Sequence, residues 1–226
     1  MREKWEKPEA ILFDMDGTLF QTETLLIPVH ERLFDRLRQD GLFEGDTPSV
    51  EIMLSSLGML LAHIWERVMP GAGAEVHKRA DDLLLELEIE GLRRGEGELY
   101  AGVRETLEAL SGMGIRLFVA SNGLPEYVKE IVEVKGLSPY IEESYTAGEY
   151  QTATKADLVR LLLDKHNIRH AWMVGDRSSD VEAGHANGLK VVGCAYAGFG
   201  KEDELANADR TIASLNELEL WLTGDE

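Results

Sequence analysis

Cysteine is nearly absent: Cys194 is the only one in 226 residues. No disulfide can form within the chain, and no cysteine cluster can hold a metal. Set in the run Val191-Val192-Gly193-Cys194-Ala195, the thiol reads as buried packing. Cations are scarce as well, with 23 Lys and Arg against 42 Asp and Glu, a formal net charge of −19. A surface of that sign is repelled by nucleic acid and by anionic membrane, so neither is expected as a partner. It also sets a problem for any anionic ligand, because something local must reverse the field. No run approaches the roughly 18 apolar residues of a membrane span. Residues 1–9 are charged and lack the apolar stretch of a secretory signal, so the expected setting is cytoplasmic. Internal repeats and low-complexity segments are missing too, and no feature sets an oligomeric state.

What is present is an ordinary globular composition, 44% apolar and 29% charged, in a chain long enough to bury a sizeable core. The first apolar run, Ile11-Leu12-Phe13, leads straight into Asp14-Met15-Asp16-Gly17-Thr18-Leu19. Beyond it, residues 21–97 read as helical. Leu25 to Gln39 is amphipathic, Ser49 to Leu61 has helical spacing, and Glu75 to Leu92 resumes after Pro70-Gly71. Arg93 to Glu98 reads as a linker. From Val103 the pattern becomes helix–strand alternation, with strands at Arg116 to Ala120, Ile141 to Thr146, Ala171 to Val174, Lys190 to Cys194 and Arg210 to Ala213. Such alternation predicts an α/β protein, a parallel sheet covered by helices on both faces. The expected organisation is a core of residues 1–20 and 98–226, with an all-helical module of residues 21–97 inserted after the first strand.

Parallel sheets bind ligands at the carboxyl ends of their strands. Asp14 and Asp16 follow the first strand, and Ser121-Asn122-Gly123 follows the second. Lys155 opens a helix further on, and Gly175-Asp176-Arg177-Ser178-Ser179-Asp180 follows Met173-Val174. Carboxylates gathered from several strand ends cannot all stay ionised without a cation among them. Mg²⁺ suits oxygen ligands and a phosphate, and with Lys155 it would supply the missing positive field. One carboxylate can then attack phosphorus while a neighbouring carboxyl moves the proton.

"DMDGTL", "SNG", a lone lysine and "GDRSSD", in that order, resemble the haloacid dehalogenase superfamily. The likeness is to its phosphatases of the phosphoglycolate-phosphatase-like subgroup, and it runs from Ala10 to about Leu222. The tail "GCAYAGFGKEDELANADRTIASLNEL" is similar to that subgroup as well. The resemblance implies a three-layer Rossmann-like core with a helical cap domain, acting on a small phosphorylated metabolite. It makes Asp14 the nucleophile and a metal ligand, and Asp16 the general acid/base whose carbonyl also meets the metal. Ser121, Asn122 and Lys155 would bind phosphate, Asp176 would ligate Mg²⁺, and Asp180 would orient that ligand from behind. The second Asp of the motif points to phosphatases over dehalogenases, since an alkoxide leaving group needs a proton and a halide does not. Relatives often carry Pro where Ala156 follows the lysine, and Asp where Gln21 stands.

Taken singly, these residues have plainer roles. Asp14 and Asp16 suit a strand-ending turn, Ser121-Asn122-Gly123 a turn or helix cap, and Lys155 a solvated helix lysine. Asp180 suits any first helical turn. Their order along one chain argues for chemistry. Substrate choice is expected to lie in the cap, with Gly58, Met59, Trp65 and Arg67 as candidates, although Met59 and Trp65 equally suit a small core. The hinges are expected near Phe20-Gln21-Thr22 and Gly95-Glu96-Gly97, and Gly198-Phe199-Gly200 reads as a loop near the site. Two rivals stay open. A phosphomutase similar to beta-phosphoglucomutase would use the same two aspartates while keeping water from the phosphoenzyme. A phospho-receiver or regulatory binding module would be phosphorylated without turnover, but such modules are smaller and lack an insert.

Overall fold

The computed structural model describes residues 5–56, 59, 61–197 and 203–223; Gly58 and the segment Gly198-Phe199-Gly200 lie outside them. The chain forms two compact units, one of residues 1–20 and 99–226, the other of residues 21–98.

The first unit is built on six parallel strands: β1 (Ala10–Phe13), β4 (Arg116–Ser121), β5 (Ile141–Thr146), β6 (Ala171–Gly175), β7 (Lys190–Cys194) and β8 (Arg210–Ile212). Their spatial order is β5-β4-β1-β6-β7-β8. Every residue of β1 is fully buried. Because successive side chains of a strand point to opposite faces, that burial means both faces of the sheet are covered. Ala10, Leu12, Phe118, Ala120, Met173 and Val191 share one hydrophobic cluster with Leu158, Val159 and Leu162 of α8 (Lys155–His166) and Val181 and Ala183 of α9 (Ser178–Ala186). The helices α5 (Val103–Gly112) and α6 (Pro125–Val134) bury Val103, Leu107, Leu110, Val128 and Ile131. The α/β architecture of helices flanking a parallel sheet is the one the alternation predicts. A four-residue helix, α7 (Ala147–Tyr150), is additional; its signal is Thr146, whose hydroxyl accepts the Glu149 N–H across a Thr-x-x-Glu pattern.

The second unit is helical: α1 (Glu23–Gln39), α2 (Val50–Leu54), α3 (Leu61–Val68) and α4 (Ala74–Arg93). Leu25, Leu26, Val29, Leu33, Phe34 and Leu37 of α1 are buried, as are Leu83, Leu84, Leu87 and Leu92 of α4, and the two helices pack together. The single helix expected from Ser49 to Leu61 is broken. After Leu54 the hydroxyls of Ser55 and Ser56 both bond the Ile52 carbonyl, at 3.0 and 2.7 Å, and offer the backbone an alternative to another helical turn. The stretch read as linker also differs: α4 runs on to Arg93, and Glu98–Leu99 forms β3, which pairs with β2 (Phe20–Gln21) in a two-stranded sheet. Two residues per strand are too few for alternation to register in the sequence.

Candidate active site

The register of the sheet decides which residues meet. Phe13, the last residue of β1, lies beside Val119 of β4 and Val174 of β6. The chain then leaves all three strands within a residue or two, so Asp14, Ser121 and Asp176 emerge side by side at the carboxyl edge. The Asp14 N–H donates to the Val174 carbonyl at 2.9 Å, extending the ladder one residue and fixing the aspartate's backbone. Met15 then turns its side chain into the core, fully buried, while Asp16 is half-buried. The turn closes through the Met15 carbonyl, which accepts the N–H groups of Thr18, Leu19 and Phe20.

Gly17 is demanded twice over. Its φ is +79°, in the left-handed region, and a Cβ placed there would sit 2.4 Å from Asp176 Oδ2. The glycine of the motif is therefore the space into which the Asp176 carboxylate fits.

Lys155 comes from a different direction. Thr154 caps α8 by accepting the Asp157 N–H at 3.1 Å, and the next residue points its ammonium inward. With Lys155 at 5% exposure, Nζ lies 2.8 Å from Asp14 Oδ1 and 2.5 Å from Asp180 Oδ1. Asp180, from the first turn of α9, uses its other oxygen to accept the Arg177 N–H at 3.0 Å. Arg177 is held in turn by Glu204 at 3.3 Å. Asp180 thus has both oxygens engaged by the protein and works as a clamp on Lys155 and on the β6–α9 turn.

Asp176 is different. Its Oδ1 accepts the Thr18 hydroxyl at 3.2 Å, but its Oδ2 is buried and has no hydrogen-bond partner among the described residues. A buried carboxylate oxygen left without a partner costs about 1–3 kcal/mol or more. Carboxylate oxygens of Asp14, Asp176 and Asp180 all lie within 4.8 Å of one another, and all three residues are buried. Burial pushes the Asp176 carboxyl up to about 8, with Asp14 and Asp180 adding to the effect. Burial likewise raises Asp180 to about 6, opposed by Lys155. Asp14 is also raised, by burial that outweighs the attraction of Lys155. For Lys155 burial works against the charge, but Asp14 and Asp180 outweigh it and hold the lysine ionised. One ammonium among three carboxylates leaves an excess of negative charge, and a cation would relieve it. The orphaned Asp176 oxygen and the all-oxygen donor set fit a hard metal ion.

Beside this cluster, Ser121 ends β4 with its hydroxyl buried, accepting the Gly123 N–H at 3.0 Å. Asn122 follows it, half-buried. Asp16 accepts a hydrogen bond from the Tyr127 hydroxyl at 2.7 Å. Neither Tyr127 nor Thr18 is singled out by the sequence. Thr18 stands inside the motif, which is its only signal, and Tyr127 reaches Asp16 through the fold alone. Cys194 is buried, and burial pushes its thiol up, away from nucleophilic use.

Trp65, Met59 and Arg67, the candidates of the helical unit, make contacts within that unit. Trp65 is fully buried and donates its indole N–H to Asp81, so its ring is committed to the interior of that unit. Arg67 reaches the Ser55 carbonyl at 3.4 Å and Met59 Sδ at 3.5 Å, and Met59 is exposed.

Residues 8–188 match the model of the haloacid dehalogenase-like hydrolases. The chain is 30% identical over 217 residues to a 5'-nucleotidase of Pseudomonas aeruginosa, covering 91% of this chain and 90% of that one. It is 26% identical to a phosphoglycolate phosphatase of Photobacterium profundum, covering 95% and 96% of the two chains. The fold also superposes on the crystal structure of a predicted phosphoglycolate phosphatase from Haemophilus somnus. There the TM-score is 0.80 at 21% identity, over 95% of this chain and 98% of that one. The strand-end carboxylates, the buried lysine and these likenesses lead to one assignment: the chain belongs to the haloacid dehalogenase-like hydrolase family.

Proposed function

We propose that this hydrolase is a Mg²⁺-dependent phosphatase that cleaves a small phosphomonoester through an aspartyl-phosphate on Asp14, with Asp16 as general acid/base. The observation that carries the reading is the pairing of a lysine-held nucleophile with an unsatisfied ligand. Asp14 has one oxygen fixed at 2.8 Å by Lys155, and Asp176 beside it has an oxygen with no partner among the described residues. Asp14, the Asp16 carbonyl and Asp176 would hold Mg²⁺, with Asp180 supporting from behind. When bound, the ion neutralises charge on the carboxylates and on the phosphoryl oxygens.

The chain's own groups account for the rest. An Asp14 carboxylate oxygen attacks phosphorus as the bond from phosphorus to the substrate oxygen breaks. Asp16 protonates that departing oxygen, which would otherwise leave as an unstable alkoxide. Asp16, now a carboxylate, takes a proton from water as the water oxygen attacks phosphorus. The bond to Asp14 then breaks, releasing inorganic phosphate and restoring the carboxylate. Ser121, Asn122 and Lys155 hold the phosphoryl oxygens while this happens. A lysine fixed between Asp14 and Asp180 brings positive charge to the phosphate without moving, which is how an anion is drawn to a chain of charge −19.

Residues 21–98, inserted just after the motif, are read as a cap domain that contributes substrate selection and exclusion of water. Two of the relatives are a 5'-nucleotidase and a phosphoglycolate phosphatase, names that point to a phosphomonoester, and others are pyrophosphatases. A small phosphorylated metabolite in the cytoplasm is the substrate class proposed. The test is phosphate release from an aryl phosphate with Mg²⁺ and with EDTA. Sustained turnover should need the metal and vanish in Asp14→Asn. Full activity in that variant would overturn the assignment of the nucleophile, and a single stoichiometric labelling would favour a receiver module.

A further inference from the structure

The hydroxyl of Tyr127 donates to Asp16 Oδ1 at 2.7 Å, and Tyr127 is only 6% exposed. We propose that Tyr127 is a positioning residue for Asp16, fixing the carboxyl that protonates the leaving oxygen; the inference rests on the reading of Asp16 as general acid/base. Three observations support it. First, Asp16 is half-buried on a turn, and an aspartate there has rotamers that a proton donor cannot afford to sample. Second, the holder is stiff. Pro125 starts α6 at its first position, Tyr127 lies two residues on within the first turn, and its neighbour Val128 is fully buried. A ring fixed in this way loses little freedom in keeping one hydrogen bond. Third, the bond has an ordinary length for an O–H donor, and a carboxyl that carries its proton on the other oxygen still accepts it.

The placement has a further consequence. Ser121 and Asn122 end β4, and Tyr127 opens the helix that follows the same short loop. One segment of backbone therefore carries the proposed phosphate-binding groups and the group that aims the acid. A buried tyrosine kept for packing alone would do its work as phenylalanine. The hydroxyl would then serve only to satisfy itself.

The two roles separate by leaving group. Departure of an alkyl alcohol needs the proton in the transition state, whereas a nitrophenolate leaves with little help. The measurement is kcat/KM, which reports on the steps up to loss of the alcohol. It is made for an alkyl phosphomonoester and for 4-nitrophenyl phosphate, in the wild type, Tyr127→Phe and Asp16→Asn, all with Mg²⁺. In Tyr127→Phe the alkyl substrate should lose about ten-fold or more in kcat/KM and the aryl substrate less than about two-fold. Asp16→Asn should split the substrates in the same sense and further. Melting with and without Mg²⁺ should match the wild type in Tyr127→Phe, showing that the fold and the metal site are kept. Equal losses on both substrates, or none on the alkyl one, overturn the role of Tyr127. If Asp16→Asn splits the substrates and Tyr127→Phe does not, the inference fails alone. If Asp16→Asn itself treats both alike, the general-acid assignment fails, and the inference with it.

Discussion

Replacing Asp176 by Asn should make the metal-free protein more stable while it abolishes the response to Mg²⁺. The carboxyl shifts from 3.8 to about 8 on folding, chiefly through burial and then through repulsion by Asp14 and Asp180. An acid raised in this way contributes its stability fully below the unfolded pKa near 4 and loses it as pH rises through the folded value near 8. At pH 7 the native carboxyl is still largely protonated while the unfolded one is ionised. At about 1.4 kcal/mol per unit, that mismatch costs about 4 kcal/mol. It falls to about 2 kcal/mol near pH 5.5 and exceeds about 5 kcal/mol near pH 8. Asparagine removes the charge and keeps an oxygen for the Thr18 hydroxyl, which donates to Oδ1 at 3.2 Å. Allowing for the new amide, the variant in EDTA should gain about 2–4 kcal/mol at pH 7, or on the order of 5–15 °C in Tm for a chain of this size. The assay is thermal melting of both proteins at about pH 5.5, 7 and 8, each with EDTA and with saturating Mg²⁺. The gap in EDTA should widen with pH, and Mg²⁺ should raise the wild type most at the highest pH and leave the variant nearly unmoved. A variant less stable than the wild type in EDTA at pH 8 would refute the reasoning, since the lone Asp176 oxygen would then have a native partner worth more than the charge costs.

Two other substitutions probe the same region. Gly17→Ala forces a side chain into a left-handed backbone and into the Asp176 carboxylate, so it should lower phosphatase kcat by about 100-fold or more, while circular dichroism still reports a folded chain. Lys155→Met strips the counter-ion from Asp14 and Asp180 and should cost about 3–5 kcal/mol at pH 8 by denaturant titration. Because the two carboxyls rise further without the lysine, that loss should shrink as pH falls toward their unfolded values near 4, where both are neutral.

The sheet was readable in the sequence because its central strands are short, apolar on both faces and separated by helices. The Ile141 to Thr146 and Lys190 to Cys194 strands have in the structure the bounds their patterns suggest, and a helix does start at Lys155. The acidic groups at the strand tips were readable for the same reason, since a carboxylate directly after a buried run has few places to go. Lys155 was another matter. Nothing local distinguishes it from a solvated helix lysine; only its place in the series of groups that follow the strands, and then the resemblance, marked it out. Burial of its ammonium follows from Thr154, Asp14 and Asp180 together, three residues far apart in the chain. The contacts of Thr18 with Asp176 and of Tyr127 with Asp16 were illegible because they depend on the packing of separate elements. The break between α2 and α3 was missed because two serine hydroxyls outweigh a helical apolar spacing that otherwise continues.

The small ribbon of β2 and β3 has a consequence for how this protein can change over time. Pairing Phe20–Gln21 with Glu98–Leu99 brings the entry and the exit of the inserted segment together. Closing a loop whose ends are already adjacent costs little more for a long segment than for a short one, since the entropy grows only with the logarithm of length. Helices can be lengthened, exchanged or lost between those two strands with no change in the order of the six-stranded sheet. The chemistry of the strand tips and the identity of the insert are thus free to evolve at different rates within one chain.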